Sequence, residues 1–468
     1  MKVAKFGGSS LADAAHIKQV CSIILSDKAR RLVVVSAPGK RFDNDTKVTD
    51  MLISLAEKYM DTSNPNFIED SESALQEIVG RYKSIAEELE MESDIVTVIE
   101  ADLRGRLILK TNGRRLSNGK INKISDEQFM DMMKAAGEDN SAKLVASYLI
   151  SQGIAAKYIN PKDAGMILSS EYGNARVLPH SYDMLNKLNE NENIMIFPGF
   201  FGYSHEGDVV TFSRGGSDVT GAVLAAAVKA EVYENFTDVD SVYAANPRII
   251  EDPKPIPVFT YEEMRELAYA GFTVLHEETL EPVYKMGIPV NIKNTNNPEA
   301  PGTFIVPERV DTDDSPVAGI AADGGFFTLN VTKYMMNREI GFGRKLLQVF
   351  EEEGVSYEHT PSGIDSICVI IRTRNCSVEK RNRIVRTIYN DLKVDSVTLN
   401  EDIAIAMLVG QGMNKKVGIA ARATGALARS GVNICMINQG SSEVSIMFGI
   451  DVSDSKLAVK ALYNEFFR

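Results

Sequence analysis

The chain has 468 residues, 44% of them apolar, enough for two to four domains with substantial cores. With 64 acidic against 51 basic residues its net charge is -13, which weighs against nucleic acid or an anionic membrane as a main partner. Cys21, Cys368, Cys376 and Cys435 show no metal spacing and no apolar run reaches membrane length, so a reduced cytoplasmic protein without a signal peptide is expected, with Cys368 and Cys376 as possible cross-strand neighbours.

The chain opens on a strand that runs into a turn, Val3-Ala4-Lys5-Phe6-Gly7-Gly8-Ser9-Ser10, with a helix start at Leu11-Ala12-Asp13. Two glycines able to take positive φ, a helix N-terminus and the Lys5 ammonium form a cradle for phosphoryl oxygens. Alone, these residues also suit an ordinary tight turn with a solvated lysine. Val33 to Ala37 reads as the next strand and Pro38 to Lys47 as a polar insertion. Met51 to Glu138 is charged and largely helical, an elaboration of the same lobe.

Strands follow at Ala155 to Ile159 and Ile194 to Phe197. Thr211 to Ala222 then repeats the opening plan, with a strand, Arg214, Gly215-Gly216, Ser217, Asp218 and a helix Val219 to Lys229. Two such turns, each with a cation just upstream, favour ligand binding over helix capping alone. Strand Glu231 to Asn235 leads into Thr237-Asp238-Val239-Asp240-Ser241-Val242-Tyr243, which continues to Arg248 and suits a nucleotide platform. With Pro289 to Ile292, the alternation predicts an α/β fold: a mostly parallel sheet sandwiched by helices, ending near Pro298 to Pro316.

An internal repeat comes next. Phe327 to Val331, helix Gly343 to Glu353, Ser356 to Thr360, Ser366 to Arg372, helix Val378 to Leu392 and Val394 to Leu399 give the order βαββαβ. Ile403 to Val409, helix Lys416 to Ser430, Asn433 to Asn438, Glu443 to Asp451 and helix Ser455 to Phe467 repeat it but stop one strand short. Val317 to Ala321 is a spare strand that could supply the missing one. Partial dinucleotide or Walker patterns, such as Gly410-Gln411-Gly412 and Gly119-Lys120, lack required residues.

The segments Lys5 to Ser10 (KFGGSS), Arg214 to Asp218 (RGGSD) and Thr237 to Arg248 resemble the aspartate kinases of the amino acid kinase family. Val33 to Ala37, a turn at Val48-Thr49-Asp50 and a helix start at Ala136 to Ser141 add to the resemblance, and the repeat is similar to their paired ACT domains. Met413, Asn433 to Met436 and Gln439 to Glu443 resemble the second of these. Ser241 and Asn246 depart from the family's usual Gly and Asp. The resemblance implies a three-layer αβα kinase domain at 1–305 and ferredoxin-like ACT domains at 316–400 and 401–468, with 317–321 completing the second.

The implied reaction moves the γ-phosphoryl group of ATP, carried with Mg2+, to the side-chain carboxylate of L-aspartate, on the way to lysine, threonine and methionine. That carboxylate is already ionised at neutral pH, so no general base is needed. Lys5 and Asp218 take catalytic places, with Lys5, Gly7, Gly8 and Ser9 at the phosphates and Thr237, Asp238, Tyr243, Arg248 and Lys293 at the nucleotide. No protein metal ligand is assigned.

Arg214 would pair with the substrate α-carboxylate; Asp218 and Glu138 would face its ammonium or orient Lys5; Thr49, Phe200 and Ser217 complete the pocket. Phe200 could instead be core, and Lys293 a solvated strand-end lysine. Met335, Ser356, Tyr357, Glu358, Ser362 and Asp365 would bind an amino-acid effector, expected to be lysine, in a homodimer or larger assembly paired through the ACT domains. A monofunctional enzyme is expected, since no homoserine dehydrogenase segment follows. The alternatives are a catalytically silent amino-acid sensor or a related kinase with another substrate.

Overall fold

In a computed structural model the chain forms two compact units. Met1–Val242, Pro257–Tyr261 and Val274–Arg309 make the first, and Tyr243–Ile256, Glu262–Thr273 and Val310–Arg468 the second. The structure describes all residues except 116–120, 214, 273–274, 276, 310–315 and 441–443, and only the backbone of 115, 277–278 and 414–415.

The main strands of the first unit are β1 Lys2–Phe6, β2 Arg30–Val35, β3 Ala156–Tyr158, β4 Ile194–Pro198, β5 Phe201–Tyr203, β6 Val209–Thr211, β7 Tyr233–Thr237, β8 Val258–Thr260, β9 Val290–Asn294 and β10 Thr303–Val306. Eight form one sheet in the order β8-β10-β9-β7-β1-β2-β4-β3, parallel except between β9 and β10, while β5 and β6 make a separate antiparallel ribbon. Val3, Ala4, Phe6, Leu32, Val33, Val34 and Val35 are all fully buried, the continuous apolar pattern of parallel strands covered on both faces. The chain leaves β1 for β2 on one side and returns as β7 on the other, so the carboxyl end of β1 is a switch point where α/β sheets bind ligands.

Its main helices are α1 Ala14–Ser26, α2 Val48–Met60, α3 Phe67–Glu88, α4 Asp94–Asn112, α5 Asp126–Ser151 and α6 Gly216–Val228. The expected helical elaboration is α2 to α5, whose Leu52, Leu75, Ile78, Tyr82, Leu103 and Phe129 share one core with Val33 and Val35 of β2. Against expectation, Leu11 ends a 3-10 turn, Gly8–Leu11, and α1 begins at Ala14, where Asp13 accepts the His16 amide at 3.0 Å as N-cap. Val48-Thr49-Asp50 is the first turn of α2, and Ala136 to Ser141 lies in the middle of α5, not at a helix start.

The second unit contains β11 Gly319–Thr332, α7 Phe342–Glu352, β12 Ser366–Arg372, α8 Val378–Asp391, β13 Ser396–Val409, α9 Ile419–Arg429, β14 Ile434–Asn438, β15 Ser445–Asp451 and α10 Ser455–Phe467. The sheet order is β12-β11-β13-β15-β14, antiparallel throughout. Two pairs of expected short strands are fused: β11 joins Gly319 to Ala321 with Phe327 to Val331, and β13 joins Ser396 to Leu399 with Ile403 to Val409. The fusion passes through a register shift between Asp323 and Phe326, where Gly325 takes a φ of 78° that a side chain would resist. Gly319, Ile320 and Ala321 pair with Val409, Leu408 and Met407.

Ser356 to Thr360 is not a ladder strand. Isolated bridges join His359 to Ile370 and Ser362 to Ile367, and Pro361 has no N–H to give. The helix expected from Lys416 starts at Ile419 after Gly418, whose φ is 89°. All four cysteines are free; Cys368 lies in β12 and Cys376 in the turn that follows, so they are not cross-strand neighbours. Among the described residues no helix is long and apolar enough to cross a membrane.

Candidate functional site

Lys5 stands near the carboxyl edge of β1, and three elements converge on its ammonium. Nζ lies 2.6 Å from Asp218 Oδ1 and 3.5 Å from Asn235 Oδ1, while Asn235 Nδ2 donates to the same Asp218 oxygen at 2.8 Å. Asp218 sits in the first turn of α6, and Asn235 is the register partner of Lys5 on β7. A lysine this buried requires a counter-charge, which Asp218 supplies. Tyr233 Oη, donating to the Asp218 carbonyl at 3.1 Å, steadies the helix end.

The glycines beside it serve a purpose other than the expected one. Gly7 is extended, with φ -71°, and neither Gly7 nor Gly8 has positive φ. What the turn requires is space. A Cβ on Gly8 would lie 2.9 Å from the Ala37 carbonyl, and Gly39 donates its N–H to Gly8 O at 2.8 Å. The Gly7 amide is engaged by Phe236 O at 3.3 Å, yet a Cβ there would be 3.6 Å from Lys5 Nζ, so the turn lies against the ammonium. Ser9 is exposed, and the Ser10 hydroxyl meets Thr295 Oγ1 at 2.7 Å.

The polar insertion after β2 is tied down by Arg81 of α3, which bonds Asp45 at 2.6 Å, Ala12 O at 2.9 Å and Gly39 O at 2.8 Å. Hydrogen bonds from the Arg41 and Arg81 guanidiniums hold the Asp45 carboxyl well below the usual carboxylate range.

On the acceptor side, Glu138 projects from mid-α5. It is buried, its Oε2 has no hydrogen-bond partner, and burial pushes its carboxyl up to about 8 despite amide hydrogen bonds from Ala37 and its own backbone. A Cβ on the neighbouring Gly137 would lie 2.8 Å from Ala37 Cβ and 3.9 Å from Thr49 Oγ1, so Thr49 reaches the same place.

Phe200 is half-buried with φ 76°, a left-handed conformation that costs a non-glycine residue about 1–3 kcal/mol. Its amide donates to Thr220 Oγ1 at 3.0 Å, and a Cβ on Gly216 would lie 2.6 Å from its ring, so it is wedged on the start of α6 rather than filling core. Ser217 is close beside it, its Oγ only 2.5 Å from where a Cβ on Gly199 would be. Arg214 lies outside the described residues; Gly215 after it takes φ 76° as the N-cap of α6.

Thr237 and Asp238 follow Phe236 at the end of β7, with Thr237 Oγ1 donating to Asp238 Oδ1 at 3.1 Å. Lys293 pairs in register with Phe236 and through it with Phe6, so it lies on the sheet face opposite Lys5 and Asn235 and is not brought to the ammonium. Tyr243 and Arg248 belong to the second unit. There Asn246 Oδ1 accepts the Arg248 amide at 2.9 Å, an Asx turn that aspartate would make equally well, so this departure keeps the loop plan.

The effector candidates are also in the second unit. Met335 is half-exposed with φ 59°, and Ser356 Oγ accepts from Asn375 Nδ2 at 3.3 Å. Tyr357 and Ser362 are exposed. Glu358 faces Arg372 Nε at 3.6 Å, and that guanidinium is shared with Asp323 at 2.7 Å and the Tyr269 carbonyl at 2.9 Å. Asp365, by contrast, has a buried Oδ1 without a partner.

Asn235 escaped the sequence reading. The signal was there: Glu234 and Asn235 are consecutive polar residues inside the buried strand Tyr233–Thr237, and each answers a charge, Arg30 for Glu234 at 2.6 Å and Lys5 for Asn235.

The amino acid kinase family profile matches residues 1–294, and an ACT domain profile matches 407–466. Aspartokinase 3 of Bacillus subtilis (strain 168) is 50% identical over 467 residues, covering 100% of this chain and 99% of that protein. The crystal structure of the Clostridium acetobutylicum aspartate kinase superposes with a TM-score of 0.81 at 36% identity, over 100% of both chains. Aspartokinase III of E. coli, 25% identical and likewise covered in full, gives TM-scores of 0.79 in complex with aspartate and ADP (R-state) and 0.73 with lysine and aspartate (T-state).

Proposed function

This chain belongs to the aspartate kinases of the amino acid kinase family, and on that premise we propose that it transfers the γ-phosphoryl group of ATP to the side-chain carboxylate of L-aspartate, giving 4-phospho-L-aspartate and ADP. The observation that carries this reading is the Lys5 ammonium, held by Asp218 and Asn235 at the switch point of the sheet and lying against the Gly7-Gly8 turn.

In the transfer, an aspartate carboxylate oxygen bonds to the γ-phosphorus as the bond to the bridging oxygen breaks, and ADP leaves with that electron pair. No proton need move, so the protein's task is positioning and charge stabilisation. Lys5 faces the transferred group, with Gly8 and Ser9 at the phosphates. Of the two roles open to Asp218, orienting Lys5 fits its 2.6 Å contact. Glu138 is left to receive the substrate ammonium, Arg214 its α-carboxylate, and Thr49, Phe200 and Ser217 shape the pocket. Thr237 and Asp238, at the end of β7, serve the nucleotide.

Mg2+ would be carried on the ATP phosphates, where it would neutralise their charge; among the described residues there is no group of three or more acidic, histidine or cysteine side chains that could hold it alone. Incubation with ATP and aspartate, glutamate or N-acetylglutamate tests the reading. ADP and a hydroxylamine-trappable acyl phosphate are expected with aspartate; their absence, with amino-acid binding retained, would establish the sensor alternative.

Arg214→Ala is expected to raise the aspartate KM roughly 10- to 100-fold, the loss of one charged hydrogen-bond pair, with the ATP KM nearly unchanged. A wild-type aspartate KM would move the carboxylate site elsewhere.

The ACT sequence, and the lysine complex of the E. coli relative, support lysine as inhibitor; we propose that it acts in a cytoplasmic homodimer or larger assembly paired through the ACT domains. Asp365, with its orphaned buried oxygen, is the acid best placed to meet a lysine amine, whereas at Glu358 the effector must compete with Arg372. To inhibit, lysine must bind an inactive arrangement more tightly than the active one. Inhibition curves should therefore shift to higher lysine for Asp365→Asn and, by less, for Glu358→Ala. Identical midpoints in all three proteins would remove this site.

A further inference from the structure

Helix α5 carries a second buried acid on the face that bears Glu138. Asp131 lies two helical turns earlier and is 1% exposed. Its Oδ2 accepts two backbone N–H groups, from Thr211 at the end of β6 and from Gly173, each at 2.8 Å. The Thr211 carbonyl accepts the Ala175 amide at 3.0 Å, and the next residue, Phe212, donates to the Phe200 carbonyl at 2.9 Å. The last residue of β6 is thus gripped at both its amide and its carbonyl by groups outside the β5–β6 ribbon. A three-residue strand in a two-stranded ribbon has little of its own to keep its end in place.

We infer that Asp131 is a positioning residue for the aspartate site, fixing the strand end three residues before Arg214 in the chain. One helix would then bear on both ends of the substrate: Glu138 meets the ammonium directly, and Asp131 anchors Thr211, three residues before the arginine proposed for the α-carboxylate. This rests on the reading of Arg214 given above. Chemically, the requirement is an acceptor for two amides, since without it the buried Thr211 N–H and the half-buried Gly173 N–H lose their partner and the strand end can shift to find others.

Steady-state kinetics in both substrates on Asp131→Ala, Asp131→Asn, Arg214→Ala and the double variant Asp131→Ala/Arg214→Ala separate this from a purely structural acid. A structural acid lowers the folded, active fraction and hence the apparent kcat, leaving both KM values alone. The expected result for Asp131→Ala is an aspartate KM raised about 10-fold or more with the ATP KM within about 2-fold. Asp131→Asn, whose side-chain oxygen can still accept both amides, should stay within about 3-fold of the wild type. The double variant should have an aspartate KM no higher than Arg214→Ala alone, because a misplaced arginine and an absent one cost the same contact.

An unchanged aspartate KM in Asp131→Ala, a parallel rise in both KM values, an asparagine variant as impaired as alanine, or penalties that multiply in the double variant would each overturn the inference. Should Asp131→Ala not fold, Asp131→Ser keeps a polar side chain but is too short to reach both amides, and the absence of the KM split there overturns it equally. A wild-type aspartate KM in Arg214→Ala marks the different failure, that of the arginine assignment, and takes the positioning claim down with it.

Discussion

Lys5→Ala is expected to fold and to lose roughly 10²–10³-fold in kcat, the range seen when one preorganised donor to a developing charge is removed. The ammonium is fixed before any ligand arrives, by Asp218 at 2.6 Å and Asn235 at 3.5 Å, so in the proposed reaction it would meet the charge of the transferring phosphoryl group without reorganising. Since that charge is redistributed most in the transition state, kcat should fall more than either KM rises. The variant leaves Asp218 without its counter-ion, which lowers stability as well, so folding must be verified by circular dichroism and thermal unfolding before rates are compared. A folded variant that turns over within a few-fold of the wild type would remove Lys5 from the chemistry and leave its ion pair as a structural device.

The sequence announced the parts of this molecule that depend on local rules. β-branched runs such as Leu32 to Val35 read as buried parallel strands because nothing in them needs to face water. Gly-Gly next to a cation marked both candidate ligand turns. What it did not disclose is why the glycines are there. At Gly8 the constraint is the Ala37 carbonyl, brought close by a loop some thirty positions away, and no local pattern encodes that approach. Likewise Ser356 to Thr360 has the composition of a strand, yet Pro361 and the single bridges to β12 keep it out of the ladder. The fused strands β11 and β13 were hidden by the opposite error, because Asp323-Gly324-Gly325 looks like a turn and is instead an irregular stretch carried through by the partner strand.

In the site, the lysine, the RGGSD acid and Glu138 were legible from the resemblance, but their division of labour was not. Asp218 could have faced the substrate; only the geometry sets it on Lys5 and leaves Glu138 with one carboxyl oxygen, Oε2, that has no hydrogen-bond partner.

Glu138→Gln is expected to impair aspartate binding and at the same time stabilise the unliganded protein at alkaline pH. In the folded chain burial holds the carboxyl at about 8, against an ordinary value of 4.5. As pH rises above 4.5 an unfolded chain gives up this proton while the folded one retains it, so the native state loses stability progressively until pH passes about 8. Glutamine has no proton to lose. Thermal unfolding midpoints of variant and wild type should therefore converge at acid pH and separate in the variant's favour toward pH 8, by an amount that amounts to a few kcal/mol if the full shift is realised.

Catalysis should move the other way. In the proposed role of Glu138 the substrate ammonium needs the ionised carboxylate, so binding at neutral pH must drive the proton out. The wild-type aspartate KM should fall as pH rises toward 8, and calorimetry in buffers of different ionisation enthalpy should record about one proton released per aspartate bound near neutrality. In Glu138→Gln the KM should be roughly 10- to 100-fold higher, lose that pH dependence and release no proton, because a neutral amide replaces a charged partner. Greater stability with unchanged aspartate KM would mean that Glu138 is a strained buried acid with no part in binding; a lower stability at pH 8 would mean that it is ionised and paired in the unliganded protein.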